Sequence, residues 1–341
     1  MSIAIKNSAQ LNFFKQIEER IGESASMAEM IADVLEVSVS SAYRRINGES
    51  LLSMDEMLML CKHFKIPLDT LAECDKSNVT FAYESFGINN LDIDAYLQSI
   101  ITILQRLKKI PEIHIYFAAE FVPVFHHFEY EEMTAFKFFY WQKSIVNDKN
   151  FEGKKFEFKE TSKDTLTLAK KAAKLYSQIP STEIWNVETI NSTLMQVSYY
   201  WDAGLFESEQ EALLICDQLI LMVKHLQQQT EVGTKFIGID KTKNTDAPFN
   251  MYASEVMIGN NSVLGIGEGY KISLLTFNTF NSLTTTNANF CEESEIWMKN
   301  MTKKATLLSG VSEKQRFQFF KKIINVIDKL KIRIEESMVV K

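Results

Sequence analysis

The sequence predicts a mainly α fold (α+β overall) in two parts, and three observations carry that reading. Serine-led capping boxes alternate with apolar residues at 3-4 spacing through residues 1–76. The same spacing returns over 91–229 with wider apolar faces. After Glu231 the composition changes to β-branched and aromatic runs separated by Gly and Asn, the mark of a small antiparallel sheet near the C-terminal end. The expected organisation is a five-helix domain over 1–76, a linker at 77–90 and a larger, mostly helical domain over 91–341.

Composition narrows the classes. A chain of 341 residues with 46% hydrophobic and 24% charged residues can bury a sizeable core. Its net charge of −7 provides no bulk attraction to nucleic acid, and residues 1–76 hold eight Lys/Arg against twelve Asp/Glu. Any DNA contact must therefore be a local patch. Four scattered cysteines without a CxxC pair fit a reducing cytoplasm. No run reaches the roughly 18 apolar residues that a membrane helix needs, so no membrane partner is expected.

In chain order, Leu11–Ile21 is an amphipathic helix that stops at Gly22. Ser26-Met-Ala-Glu29 caps a helix burying Met30, Ile31, Val34 and Leu35. A turn at Glu36-Val37 follows, and Ser38 caps a helix over 39–47 that Gly48 ends. Two short helices joined by a tight turn, the second carrying Tyr43, Arg44 and Arg45, have the layout of a helix-turn-helix. Ser53-Met-Asp-Glu56 opens a helix through Phe64, and Pro67 starts a last one through about Cys74.

These five helices resemble the DNA-binding domain of Cro/CI-type (lambda-repressor-like, XRE-family) regulators. Ile31-Ala32, Leu35, Val37-Ser38, Ala42, Ile46 and Asn47-Gly48 stand at that family's core and turn positions, as do Leu58–Leu60, Phe64, Ile66, Leu68 and Leu71. Two residues depart from the pattern. Glu36 replaces the turn glycine that a positive φ favours, at a cost of ~1 kcal/mol, and Arg45 stands where an apolar residue is common. The resemblance implies double-stranded DNA as partner, with Ser38, Val39, Ser40, Ser41, Tyr43, Arg44, Arg45 and Asn47 on or beside the major groove. It also implies homodimerisation, because one such helix reads only a few base pairs. The alternative is a protein–protein interaction module whose helices do not touch DNA.

The second domain is less specific. Leu91–Leu107 reads as a helix ending at the basic Arg106-Leu-Lys-Lys109, and Ile113–Phe117 as a short strand or the next helix start. Eleven aromatic residues from Tyr116 to Trp141 are read as core or interface. His126 and His127 point about 100° apart on a helix and cannot chelate together, so no metal is assigned. Helices are expected over 162–178, 183–201 and 208–229, the last opened by Ser208-Glu-Gln-Glu211, with no helical-repeat period. Strands follow at 235–239, 252–258, 263–266 and 271–277, with a hairpin at Gly259-Asn-Asn261.

Gly265-Ile-Gly-Glu-Gly269 is read as a hairpin turn, because a strand follows where a phosphate-binding loop needs a helix. After a polar stretch, 278–289, come a helix near 292–303 and a long final helix capped at Ser312. That last helix is a dimer partner or a cover for its own domain. No catalytic residue, cofactor or metal signature is recognised, so an enzyme is the weaker alternative. A small-molecule or peptide effector would sit between the helices of 91–230 and the sheet.

Overall fold

The computed structural model describes residues 8–21, 26–64, 66, 68, 78–83, 85–86, 91–238 and 247–339. The chain divides into two units, Met1–Phe81 and Ala82–Lys341.

The first unit contains four described helices: α1 (Ser8–Ile21), α2 (Met27–Leu35), α3 (Val39–Ile46) and α4 (Met54–Phe64). The expected fifth helix, from Pro67 to Cys74, lies outside the described residues. Phe13, Phe14 and Ile17 of α1 pack with Ile31, Ala32 and Leu35 of α2, Ala42 of α3 and Leu60, Cys61 and Phe64 of α4. Ala42 is completely buried, and a larger side chain there would overfill the crossing.

In the second unit the expected small antiparallel sheet is corrected. An eight-stranded mixed sheet, in the order β1-β7-β6-β5-β2-β3-β4-β8, forms its centre and makes it an α/β fold. The strands are β1 (Ala82–Tyr83), β2 (His114–Ala119), β3 (Ser181–Trp185), β4 (Phe249–Ala253), β5 (Ser262–Gly267), β6 (Tyr270–Phe277), β7 (Asn281–Thr285) and β8 (Thr306–Leu307). Strands β2, β3 and β4 run parallel, whereas β5, β6 and β7 form an antiparallel meander on the other side of β2. The edges are two residues long, β1 on β7 and β8 on β4.

Several element boundaries move for identifiable reasons. The helix expected over 183–201 divides into β3 and a helix from Asn191, because all five residues of β3 are buried between covering layers. Within it Thr182 pairs with His114 at 2.9 Å and Glu183 with His126, Tyr176 and Trp185, so these polar side chains are satisfied inside the sheet. The polar run 278–289 contains β7, whose threonines suit a pleated, half-buried surface. The 252–258 run is displaced to Phe249–Ala253, and no strand forms over 235–238. The hairpin expected at Gly259–Asn261 is a crossover instead, since β4 and β5 are separated by β3 and β2. There the Asn261 side-chain oxygen accepts from the Phe121 amide at 2.9 Å.

The turn at Gly265–Gly269 does close a hairpin, with Gly267 opposite Tyr270. Gly269 adopts a φ of +65°. A Cβ on Gly267 would stand 2.4 Å from an Ile110 methyl and 3.0 Å from the Pro111 carbonyl. These glycines thus serve the turn and a close backbone approach.

Helices α5 (Ile93–Leu107), α6 (Val124–His127), α7 (Glu131–Tyr140), α8 (Lys163–Ser177), α9 (Asn191–Asp202), α10 (Glu209–Val232), α11 (Ala288–Lys304) and α12 (Glu313–Val339) complete this unit. One sheet face, with Ala118, Ile184 and Leu264, packs on Cys291 and Met298 of α11. The opposite face, with Phe117, Trp185, Phe249 and Met251, meets Met133 and Phe136 of α7 and Leu219 and Val223 of α10. These side chains fill the junction where an effector pocket was expected. The aromatic run is core: Phe117, Phe128, Phe136, Phe138 and Trp141 are buried. The final helix covers its own domain, burying Phe320, Ile323, Ile327 and Ile334. Its Lys331, which interrupts the apolar spacing, pairs with Asp217 at 2.6 Å. No described helix is long and apolar enough to cross a membrane.

Candidate nucleic-acid interface

The geometry of α3 begins with its caps. Ser26 opens α2 by accepting from the Glu29 amide at 3.4 Å, and Ser38 opens α3 by accepting from the Ser41 amide at 3.3 Å. Between the helices Glu36 adopts φ 53° and ψ 42°, the left-handed conformation that favours glycine. The Val37 amide donates back to the Ala32 carbonyl at 2.9 Å, turning the chain sharply. At the far end Gly48 has a φ of +73° and stops the helix.

Two contacts that sequence reasoning did not single out fix how α3 is held. Gln10 of α1, 5% exposed, donates to the carbonyls of Arg45 and Ser50 at 2.7 and 2.8 Å and accepts from the Leu52 amide at 3.0 Å. One side chain thereby ties the end of α3 and the next turn to the first helix. Glu56 of α4 completes the capping box with Ser53, accepting from its amide at 2.8 Å, and pairs through its other oxygen with Arg45 at 2.7 Å. Burial pushes the Glu56 carboxyl up, but the Arg45 guanidinium and the Ser53 amide outweigh it and hold it below the usual range. Gln10 stands three, four and seven residues before Phe13, Phe14 and Ile17, a polar residue on the apolar face of α1, and that spacing was the available signal.

Among the anticipated DNA-contacting residues, Ser38, Val39, Ser40, Tyr43, Arg44 and Asn47 are exposed. Positions 39, 40, 43, 44 and 47 lie along one face of α3. Ser41 is half-buried and its hydroxyl faces Arg45 at 3.0 Å. Arg45 is the exception to the expected set. It turns toward α4, with only 16% of its side chain exposed, because Glu56 and the Ser41 carbonyl engage the guanidinium. The outward face therefore presents two hydroxyls, a valine, the Tyr43 ring, the Arg44 guanidinium and an amide. Arg44 faces Glu49 at 3.8 Å, loosely enough to leave it for another acceptor. This set can donate to phosphates and base edges and can contact a thymine methyl.

The second unit holds a different polar constellation. Glu183 on β3 is wholly buried and accepts from His126 at 3.0 Å, the Tyr176 hydroxyl at 2.7 Å and the Trp185 indole at 2.8 Å. Burial raises its pKa, but His126 and Tyr176 outweigh this and keep it low. Lys235 donates to the Tyr176 carbonyl at 2.8 Å and stands 3.8 Å from that ring's centre. Every donor around Glu183 points inward, so the group braces β3 against α6 and α8. His126 and His127, both buried, take unlike roles: His126 serves Glu183, and burial drives the His127 pKa well down.

Residues 10–90 match the model of the BetR domain, a match of DNA-binding, regulatory type. The matched stretch includes all of α2, α3 and α4 and reaches through β1 into the second unit. No curated protein and no solved structure matches the chain.

Proposed function

We propose that this protein is a sequence-specific DNA-binding transcriptional regulator of the lambda-repressor-like kind, acting in the cytoplasm, with α3 in the major groove. The observation that carries the reading is the division of α3 into two faces. Ala42 and Arg45 are locked inward, while Ser40, Tyr43, Arg44 and Asn47 stand exposed on a helix capped by Ser38 at its start and tied to α1 and α4 at its end. The match to a DNA-binding type of domain over 10–90 supports it. In this reading the second unit dimerises the protein on a two-fold operator.

The acidic balance of residues 1–76 favours a second reading, a protein–protein module that presents the same face to a polypeptide. Fluorescence anisotropy of the full chain, titrated against a selected site and a mixed-sequence duplex, separates the two. The DNA reading expects the selected site to bind about 10³-fold or more tightly at physiological salt. Equal binding to both, erased by salt, would overturn it.

A further inference from the structure

We propose that the second unit carries its own contact surface for the phosphate backbone of duplex DNA, at the C-terminal ends of α5 and α8. The proposal rests on the DNA-binding reading above.

Helices α5 and α8 run side by side in the same direction. Near their starts Thr165 donates to Asp94 at 2.7 Å, and just past their ends the Lys108 ammonium donates to the Gln178 side-chain oxygen at 2.6 Å. Lys171, Lys174 and Gln178 are spaced three and four apart and share one stripe of α8. The bond to Gln178 therefore sets Lys108 at the end of that stripe. Arg106 and Lys109 are exposed beside it, as are Lys171 and Lys174.

These five cations form one basic surface. Among the described residues no ion pair engages any of them, whereas the neighbouring Lys170 is paired with Glu131 at 2.5 Å. The carboxylates of the two helices, Asp94 and Asp164, lie at the opposite ends. Glu112 and Glu268 border the surface beyond Lys109, where the Glu268 amide donates to the Pro111 carbonyl at 3.0 Å. The helix dipole favours a cation near each C-terminus. It gives no reason for five to converge on one solvent face without carboxylate partners.

Charge complementarity selects the occupant. Residues 1–76 hold eight Lys/Arg against twelve Asp/Glu, so α3 would approach the duplex from a domain the duplex repels. From Lys171 to Gln178 the stripe is about 10 Å long, the axial span of about three successive phosphates on one strand. A rigid basic surface elsewhere in the chain supplies the sequence-independent attraction that the reading helix lacks.

The test uses the full-length protein and a mixed-sequence duplex across a salt series. Replacing Arg106, Lys108, Lys109, Lys171 and Lys174 together by glutamine should flatten the slope of log Kd against log salt by about 4. Arg44→Gln alone should change it by about 1 while removing preference for a selected site. An unchanged slope in the five-site variant, with the Arg44→Gln effect present, overturns the second surface and leaves the function standing. No duplex binding by the native protein would overturn the function itself. Should the five-site variant melt early, acetylation of the native protein decides. Duplex should protect Lys108, Lys109, Lys171 and Lys174 several-fold while leaving the exposed Lys163 and Lys314 unchanged, and equal labelling throughout refutes the proposal.

Discussion

Arg44 and Arg45 are neighbours in sequence, yet their substitutions should have opposite consequences. Arg45→Ala removes the 2.7 Å pair with Glu56 and the bonds to the Ser41 carbonyl and hydroxyl at 3.2 and 3.0 Å. Both partners of the pair are largely shielded, 16% and 22% exposed, so solvent screens it little. Charged hydrogen bonds of this kind contribute ~1.5–3 kcal/mol. Glu56 keeps its bond from the Ser53 amide, which places the loss nearer ~2 kcal/mol. In a domain of this size that lowers the unfolding midpoint by about 8–16 °C.

Arg44, with 65% of its side chain exposed, should be thermally silent when replaced by alanine. Its loss should instead weaken the selected site by ~1–3 kcal/mol, about 5- to 150-fold. Scanning calorimetry and anisotropy on the two full-length variants read both quantities. The reasoning is refuted if Arg45→Ala leaves the first unit's transition in place and abolishes site preference, since the guanidinium would then face DNA.

Three further outcomes follow from the geometry. Glu36→Gly relieves a left-handed φ that costs ~1 kcal/mol, and once the ~0.4–1 kcal/mol unfolded-state entropy of glycine is subtracted it should leave the first unit's stability unchanged or raised by up to ~0.6 kcal/mol; a loss near ~1 kcal/mol by calorimetry would mean the turn carries no strain. Glu183→Ala leaves the buried His126, Tyr176 and Trp185 donors without their acceptor and should cost ~3–5 kcal/mol by urea unfolding; a loss below ~1 kcal/mol would contradict the network. Burial pushes the Lys137 ammonium, which donates to Thr193 and Gln196, down to about 7. The unfolded chain then binds more protons than the native one above that value, so stability should rise with pH from about 7 to about 8.5, by at most ~1.4 kcal/mol per pH unit for each such lysine. Burial also lowers Lys235 to about 7, so Lys137→Met should reduce that slope without abolishing it; an identical slope would refute the assignment.

What could be read directly from the sequence was whatever depends on neighbours along the chain. The caps at Ser26, Ser38, Ser53 and Ser208 and the left-handed Glu36 are local devices, and each is found where its motif stands. The Gly265–Gly269 turn is equally local. Strand β3 shows the opposite case. By sequence Glu183 starts a helix, and only His114, which bonds Thr182, and His126 and Tyr176, which bond Glu183, let the two polar side chains be buried in a strand. The order β5-β2-β3-β4 joins segments far apart in sequence, so short β-branched runs carried no signal of their true neighbours. The same limit applied on α3. Arg45, three residues after the buried Ala42, falls on the inward face by helical phase, but only Glu56, eleven residues later, supplies the partner that lets a guanidinium stay there.

Strand β1 has a practical bearing on how this protein can be taken apart. Ala82 and Tyr83 pair with Thr284 and Leu283, and the Tyr83 hydroxyl accepts from the Asn281 amide at 3.2 Å. Two residues of the stretch expected to be a mere connector are thus the selvedge of the sheet. A fragment beginning at Leu91 would look tidy by sequence and would leave β7 with a raw margin of unpaired amides and carbonyls, an invitation to stack on its neighbours in the tube. Cutting before Thr80 keeps the hem sewn.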